Sequence, residues 1–90
     1  MNFSKDNLVN NHYTWPTENN RNVFIGTPSR RLFNRYDGEQ VLFIINSYGE
    51  LSDQFTVEDG RKIEEMIQKE LPLQSKSELS VLHWLKDVLQ

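Results

Sequence analysis

Hydrophobic and polar positions along this chain change rhythm three times. The first 22 residues carry scattered apolar side chains, Phe3, Leu8, Val9, Tyr13 and Trp15, with no sustained period. Polar, Asn-rich sequence fills the gaps. Trp15-Pro16 reads as an extended or turn dipeptide, because proline disfavours the α region for the residue before it. Residues 1–21 are therefore expected to form a flexible or loosely packed arm. A tryptophan is costly to leave in water, so Trp15 is the residue expected to anchor it. The arm is expected to add little stability beyond that anchor.

The second rhythm is short apolar runs between turn signals. Val23-Phe24-Ile25 is a strand candidate, ended by Gly26-Thr27-Pro28-Ser29. Val41-Leu42-Phe43-Ile44-Ile45 is the longest apolar run in the chain. It is β-branched and aromatic, and predicts a central strand buried on both faces, with Phe43 as its costliest position. Asp37-Gly38 before it is a strong two-residue hairpin signal. That turn pairs Tyr36 with Glu39, Asn34 with Val41 and Leu32 with Phe43. One sheet face then carries Leu32, Asn34, Tyr36, Val41, Phe43 and Ile45, and the other Arg31, Phe33, Arg35, Gln40, Leu42 and Ile44. The first of these is expected to face the core. Ser47-Tyr48-Gly49 predicts a further turn, with Gly49 left-handed and a returning strand through Leu51 and Phe55.

The third rhythm is helical. Thr56 is a natural N-cap, with Asp59 at the capping-box position. Val57, Gly60, Ile63, Met66, Ile67 and Leu71 recur at helical spacing, and Pro72 ends the element near Glu70. Ser75-Lys76-Ser77-Glu78 reads as a second capping box. Leu79, Leu82, Leu85, Val88 and Leu89 then make a stripe that Val81 and Trp84 widen. A short connection makes the two helices antiparallel neighbours. The expected fold is α+β: an antiparallel β-meander of three to four strands, then two antiparallel helices packed on one face, in one domain over residues 22–90.

Composition narrows the function classes. Ninety residues make a single small domain, and 37% hydrophobic residues is below the usual share. There is no cysteine, which removes disulfides, thiolate zinc sites and a cysteine nucleophile. A secreted domain of this size often needs disulfides, so a cytoplasmic location is expected. No basic-then-apolar leader and no membrane-length apolar run occurs. Net charge is −3, divided as +3 over residues 1–36 and −6 over 37–90. An acidic total argues against a dedicated nucleic-acid binder.

Candidate chemistry is sparse. His12 and His83 have no second histidine at ligand spacing, so no metal site is expected. Glu58-Asp59 and Glu64-Glu65 are adjacent on a helix and do not face each other. The four glycines are isolated, and no phosphate loop or nucleophile elbow occurs. No catalytic, cofactor-binding or metal-ligating residue is assigned, and the chain is not expected to be an enzyme. The unusual feature is Arg21, Arg30, Arg31 and Arg35 within fifteen residues that hold no acid. The bland reading is solvated charge, or salt bridging to the acidic second half. The functional reading is contact with an anion or an acidic partner. Arg30-Arg31-Leu32-Phe33 also resembles the Arg-x-Leu-Phe docking peptide read by cyclins, and Thr27-Pro28 resembles a proline-directed phosphorylation site. The hairpin register places Leu32 in the core instead. The expected function is association with a protein partner or a second copy. Its expected surface is the second sheet face together with the adjacent Arg30: Arg30, Arg31, Phe33, Arg35, Leu42 and Ile44. The alternatives are anion or nucleic-acid binding by residues 30–35, or a subunit of an enzyme.

Overall fold

The computed structural model describes residues 3–15, 27–52, 54–72 and 76–89. Among these residues three helices make the fold: α1 (Gly38–Glu50), α2 (Val57–Lys69) and α3 (Glu78–Leu89). A single 3₁₀ turn, Lys5–Asn7, lies in the N-terminal segment. Among the described residues there is no strand, only two isolated bridges, Thr14 with Asp37 and Leu32 with Ser77. The protein is all-α there, and the expected α+β meander is wrong. The strand expected at Val23–Ile25 lies outside the described residues, as do Arg21 and Ser75.

The central error is α1. Asp37-Gly38 opens a helix instead of a hairpin. Asp37 is the N-cap, and its carboxylate accepts from the backbone N–H of Glu39 at 3.1 Å and of Gln40 at 3.4 Å. Val41, Ile44 and Ile45 are fully buried, and Tyr48 packs on the same cluster. Their i, i+3, i+4, i+7 spacing is a helical face, and the intervening Leu42 and Phe43 hide it as a continuous run. Phe43 is only half-buried, so it is not the core position that a central strand would make it. Gly49 lies inside the helix and not in a turn.

The other two helices follow their sequence signals more closely. Thr56 and Asp59 form a reciprocal capping box, with Thr56 Oγ1 accepting from Asp59 N at 3.2 Å and Asp59 Oδ2 from Thr56 N at 3.0 Å. Gly60, Ile63, Met66 and Ile67 are buried, and Glu70 is the C-cap before Pro72. At α3 the box is shifted by two residues. Ser77 Oγ accepts from Ser80 N at 3.1 Å, and Ser80 Oγ accepts from Ser77 N at 2.9 Å. Glu78 is thereby the first helical residue and is buried.

α1 packs against both α2 and α3. Ile44, Ile45, Ile63, Ile67, Val81 and Leu85 meet at the centre, each worth roughly 1.5–3 kcal/mol when fully buried. Phe3 joins this cluster from the N-terminal segment, with 1% exposure. Glycines on the helices receive rings from outside them. A Cβ on Gly60 would lie 3.0 Å or less from three ring atoms of Phe3, and one on Gly49 would meet the ring of Phe55 at 2.8 Å. Gly38 accepts the Trp15 ring at the same close range. The Trp15 ring lies half-buried against Gly38, and Phe3 at the other end of the segment is fully buried. Among the described residues no helix is long and apolar enough to cross a membrane.

Candidate association surface

Two buried glutamates tie two non-helical segments, residues 9–13 and 29–31, to the helices. Glu64 of α2 has 1% exposure. Its carboxylate accepts from Val9 N at 2.9 Å, Asn10 N at 3.1 Å and the Tyr13 hydroxyl at 2.5 Å. Burial pushes the Tyr13 phenol up from its ordinary value, and the hydrogen bond to Glu64 and the charge of Glu64 add to the rise. The Asp37 carboxyl is raised too, first by burial, against the opposing bonds from Gln40 and Glu39.

Glu78 of α3 is completely buried. It accepts from Ser29 N at 3.1 Å and from Gln40 Nε2 at 2.8 Å, and it pairs with Arg31 Nε at 2.9 Å. Gln40 then reaches the same segment twice more, accepting from Asn34 N at 2.7 Å and donating to Leu32 O at 2.8 Å. Backbone bonds complete the attachment: Phe33 N to Lys76 O at 2.7 Å, Glu78 N to Arg31 O at 2.9 Å and Leu79 N to Ser29 O at 2.9 Å. A buried charge is tolerated when donors satisfy its oxygens, as here.

Over residues 31–36 half-buried and exposed side chains alternate, and Asn34 to Asp37 close a turn through Asp37 N donating to Asn34 O at 3.0 Å. Phe33 packs against the core. Leu32 points out and is 76% exposed, and Tyr36 is 53% exposed. Arg35 is tied to α2, its Nη1 donating to Gln68 O at 3.2 Å while Gln68 Nε2 donates to Arg35 O at 2.9 Å. Leu32, Phe33, Arg35, Tyr36, Leu71, Pro72 and Lys76 line a groove of about 440 Å³. Two cations and no acid are among its described lining residues. His12 extends the patch, its ring edge-on to Tyr36 with centroids 5.5 Å apart.

The residues expected to associate are only partly brought together. Arg30 is exposed, and Arg31, Phe33 and Arg35 lie on the same non-helical segment. Leu42 packs on the core and Ile44 is wholly inside it, both on α1. The docking-peptide resemblance meets a similar division: Leu32 faces out, Phe33 faces in, and Arg31 is paired with Glu78. The hairpin register assigns Leu32 and Tyr36 to the core, and helical spacing gives Leu71 and Pro72 to the end of the helix through Ile63, so neither pattern places them beside Lys76 on this surface. Gln40 three residues after Asp37 is a capping-box pattern and was the available signal that a helix begins there. Among the described residues no group of three or more His, Cys, Asp or Glu could hold a metal ion. Comparison with family models, with characterised proteins and with solved structures found no match.

Proposed function

We propose that this chain is a small non-catalytic cytoplasmic protein that acts by associating with a protein partner through the patch around Leu32 and Tyr36. The partner that fits is an acidic segment with an apolar face. The observation that carries this reading is the pairing of two large, exposed apolar side chains with Arg35 and Lys76 around one groove. Apolar centres with polar, arginine-bearing rims are a recurrent form of protein interface, and tyrosine is a frequent anchor. The absence of cysteine supports the cytoplasmic location.

The alternative, anion or nucleic-acid binding by the arginines, has weaker support. The Arg31 side chain is paired with Glu78, and Arg35 donates to Gln68 O, so both are partly engaged within the chain. The test is capture from the native source with the parent chain, Leu32→Glu and Val9→Glu, followed by binding measured with the purified captured protein. Val9 is also highly exposed but lies outside this groove. Leu32→Glu should keep the melting temperature and lose the partner, while Val9→Glu keeps both. Unchanged affinity for Leu32→Glu would refute the assignment. Binding to DNA or RNA that falls steeply with salt would favour the arginine alternative.

A further inference from the structure

We infer that the surface holding residues 3–15 is a peptide-binding groove that the same segment of a second copy can occupy, giving a dimer that exchanges its N-terminal segments. Most of the groove's polar bonds go to main-chain atoms. Asn46 of α1 accepts from Phe3 N at 2.6 Å and donates to Phe3 O at 2.8 Å. On α2, Arg61 Nε donates to Asn7 O at 3.0 Å, and Glu64 takes the N–H groups of Val9 and Asn10. Thr14 N donates to Tyr36 O at 2.7 Å, and Gly38 N donates to Thr14 O at 2.9 Å. This is how an extended peptide is held in a receptor: main-chain bonds give affinity and a few side-chain pockets give register. Phe3 on Gly60, Tyr13 on Glu64 and Trp15 on Gly38 are those pockets.

Every one of these bonds joins residues far apart in sequence, so the geometry does not depend on both ends belonging to one chain. Only the tether distinguishes the two cases. Eleven residues separate Trp15 from Thr27. Covalent geometry lets such a tether span up to roughly 40 Å. The longest dimension of the molecule is 35 Å. A second copy is the occupant to expect, because the groove already fits this segment ring for ring. Exchange conserves each of the contacts named above, which makes it a low-cost route to a dimer. The inference does not rest on the Leu32–Tyr36 patch.

The test uses the full chain with a photoreactive benzoylphenylalanine at position 3, half of it ¹⁵N-labelled. The two forms are mixed at high micromolar concentration, warmed to near the unfolding midpoint and cooled. Exchange gives cross-links between light position 3 and heavy α1 or α2 peptides, and a dimer on sedimentation. Cross-links confined to one isotope, with a monomer throughout, overturn it. If that side chain prevents folding, full-length Phe3→Ala is titrated with a synthetic peptide of residues 1–15. Binding raises its melting temperature, and the same peptide carrying Phe3→Ala does not. No rise at millimolar peptide overturns the inference. Leu32→Glu should leave both outcomes unchanged, which separates this result from that of the partner patch.

Discussion

Gly60→Ala should destabilise this protein, against the ordinary expectation for a helix interior. There, replacing glycine by alanine gains up to about 1 kcal/mol. Gly60 is on the buried face of α2, and a Cβ would fall within 3.0 Å of three ring atoms of Phe3. Phe3 has little freedom to give way, because it is buried and Asn46 clamps its main chain. Displacing the ring forfeits a buried phenylalanine, typically ~3–5 kcal/mol. Set against the propensity gain, the net loss is about 2–4 kcal/mol. For a domain of this size, that lowers the melting temperature by roughly 10–30 °C. Thermal and urea unfolding followed by circular dichroism measures it. The decisive comparison is the same substitution in a Phe3→Ala background. With the ring gone, the methyl group meets open space and alanine should stabilise, so the effect of one substitution changes sign. A rise in melting temperature for Gly60→Ala in the parent would refute the seat of Phe3 on α2.

Tyr13→Phe removes one of three donors to a buried carboxylate, and should cost about 1.5–3 kcal/mol at neutral pH. The raised Tyr13 value means that the folded state holds the phenolic proton more tightly than the unfolded chain. Its contribution is complete below the ordinary value of 10.0 and is lost as pH rises above it. Urea titrations at pH 9 and pH 11 should show a steep loss for the parent and a shallower one for Tyr13→Phe; equal losses would count against the assignment. Asp37 has the same sign in a lower window. Its raised value gives stability that is full below the ordinary 3.8 and is lost as pH rises through the folded value. Asparagine caps as well as aspartate without that penalty. Asp37→Asn should therefore gain on the parent in melting temperature between pH 3 and pH 7, and a relative fall would exclude the burial penalty.

Where sequence and structure agree, a local rule decided the outcome. The helix through Ile63 and Ile67 needed only its cap, its 3.6-residue period and Pro72. Around residue 38 two local rules competed. Asp-Gly serves a type I′ turn and an N-cap equally well, and five consecutive apolar residues satisfy both a buried strand and a buried helix. Gln40 and the spacing of Val41, Ile44, Ile45 and Tyr48 favoured the helix. One misplaced turn then inverted the candidate surface: the hairpin put Leu32 and Tyr36 in the core, and they are among the most exposed apolar side chains. The arginine cluster at residues 30–35 was legible as unusual, but its tie to Glu78 was not. No periodicity links an arginine in a non-helical segment to the first residue of a helix more than forty positions later.

The N-terminal segment shows why such ties matter to a chain with few hydrophobic residues. The three helices supply the rest of the buried cluster, and Phe3, a ring with no neighbours at any regular spacing, completes it. Bringing non-helical chain onto a helix surface hides main-chain N–H groups that must find partners. Glu64 supplies them for Val9 and Asn10, and Glu78 for Ser29. The dependence runs both ways. Without residues 9–13, Glu64 would lose all three of those donors, and without Ser29, Arg31 and Gln40, Glu78 would lose its own. A buried carboxylate stripped of its donors is among the costlier defects in a protein interior. The two glutamates therefore tie residues 9–13 and 29–31 to α2 and α3, while Phe3 alone of residues 3–15 enters the core.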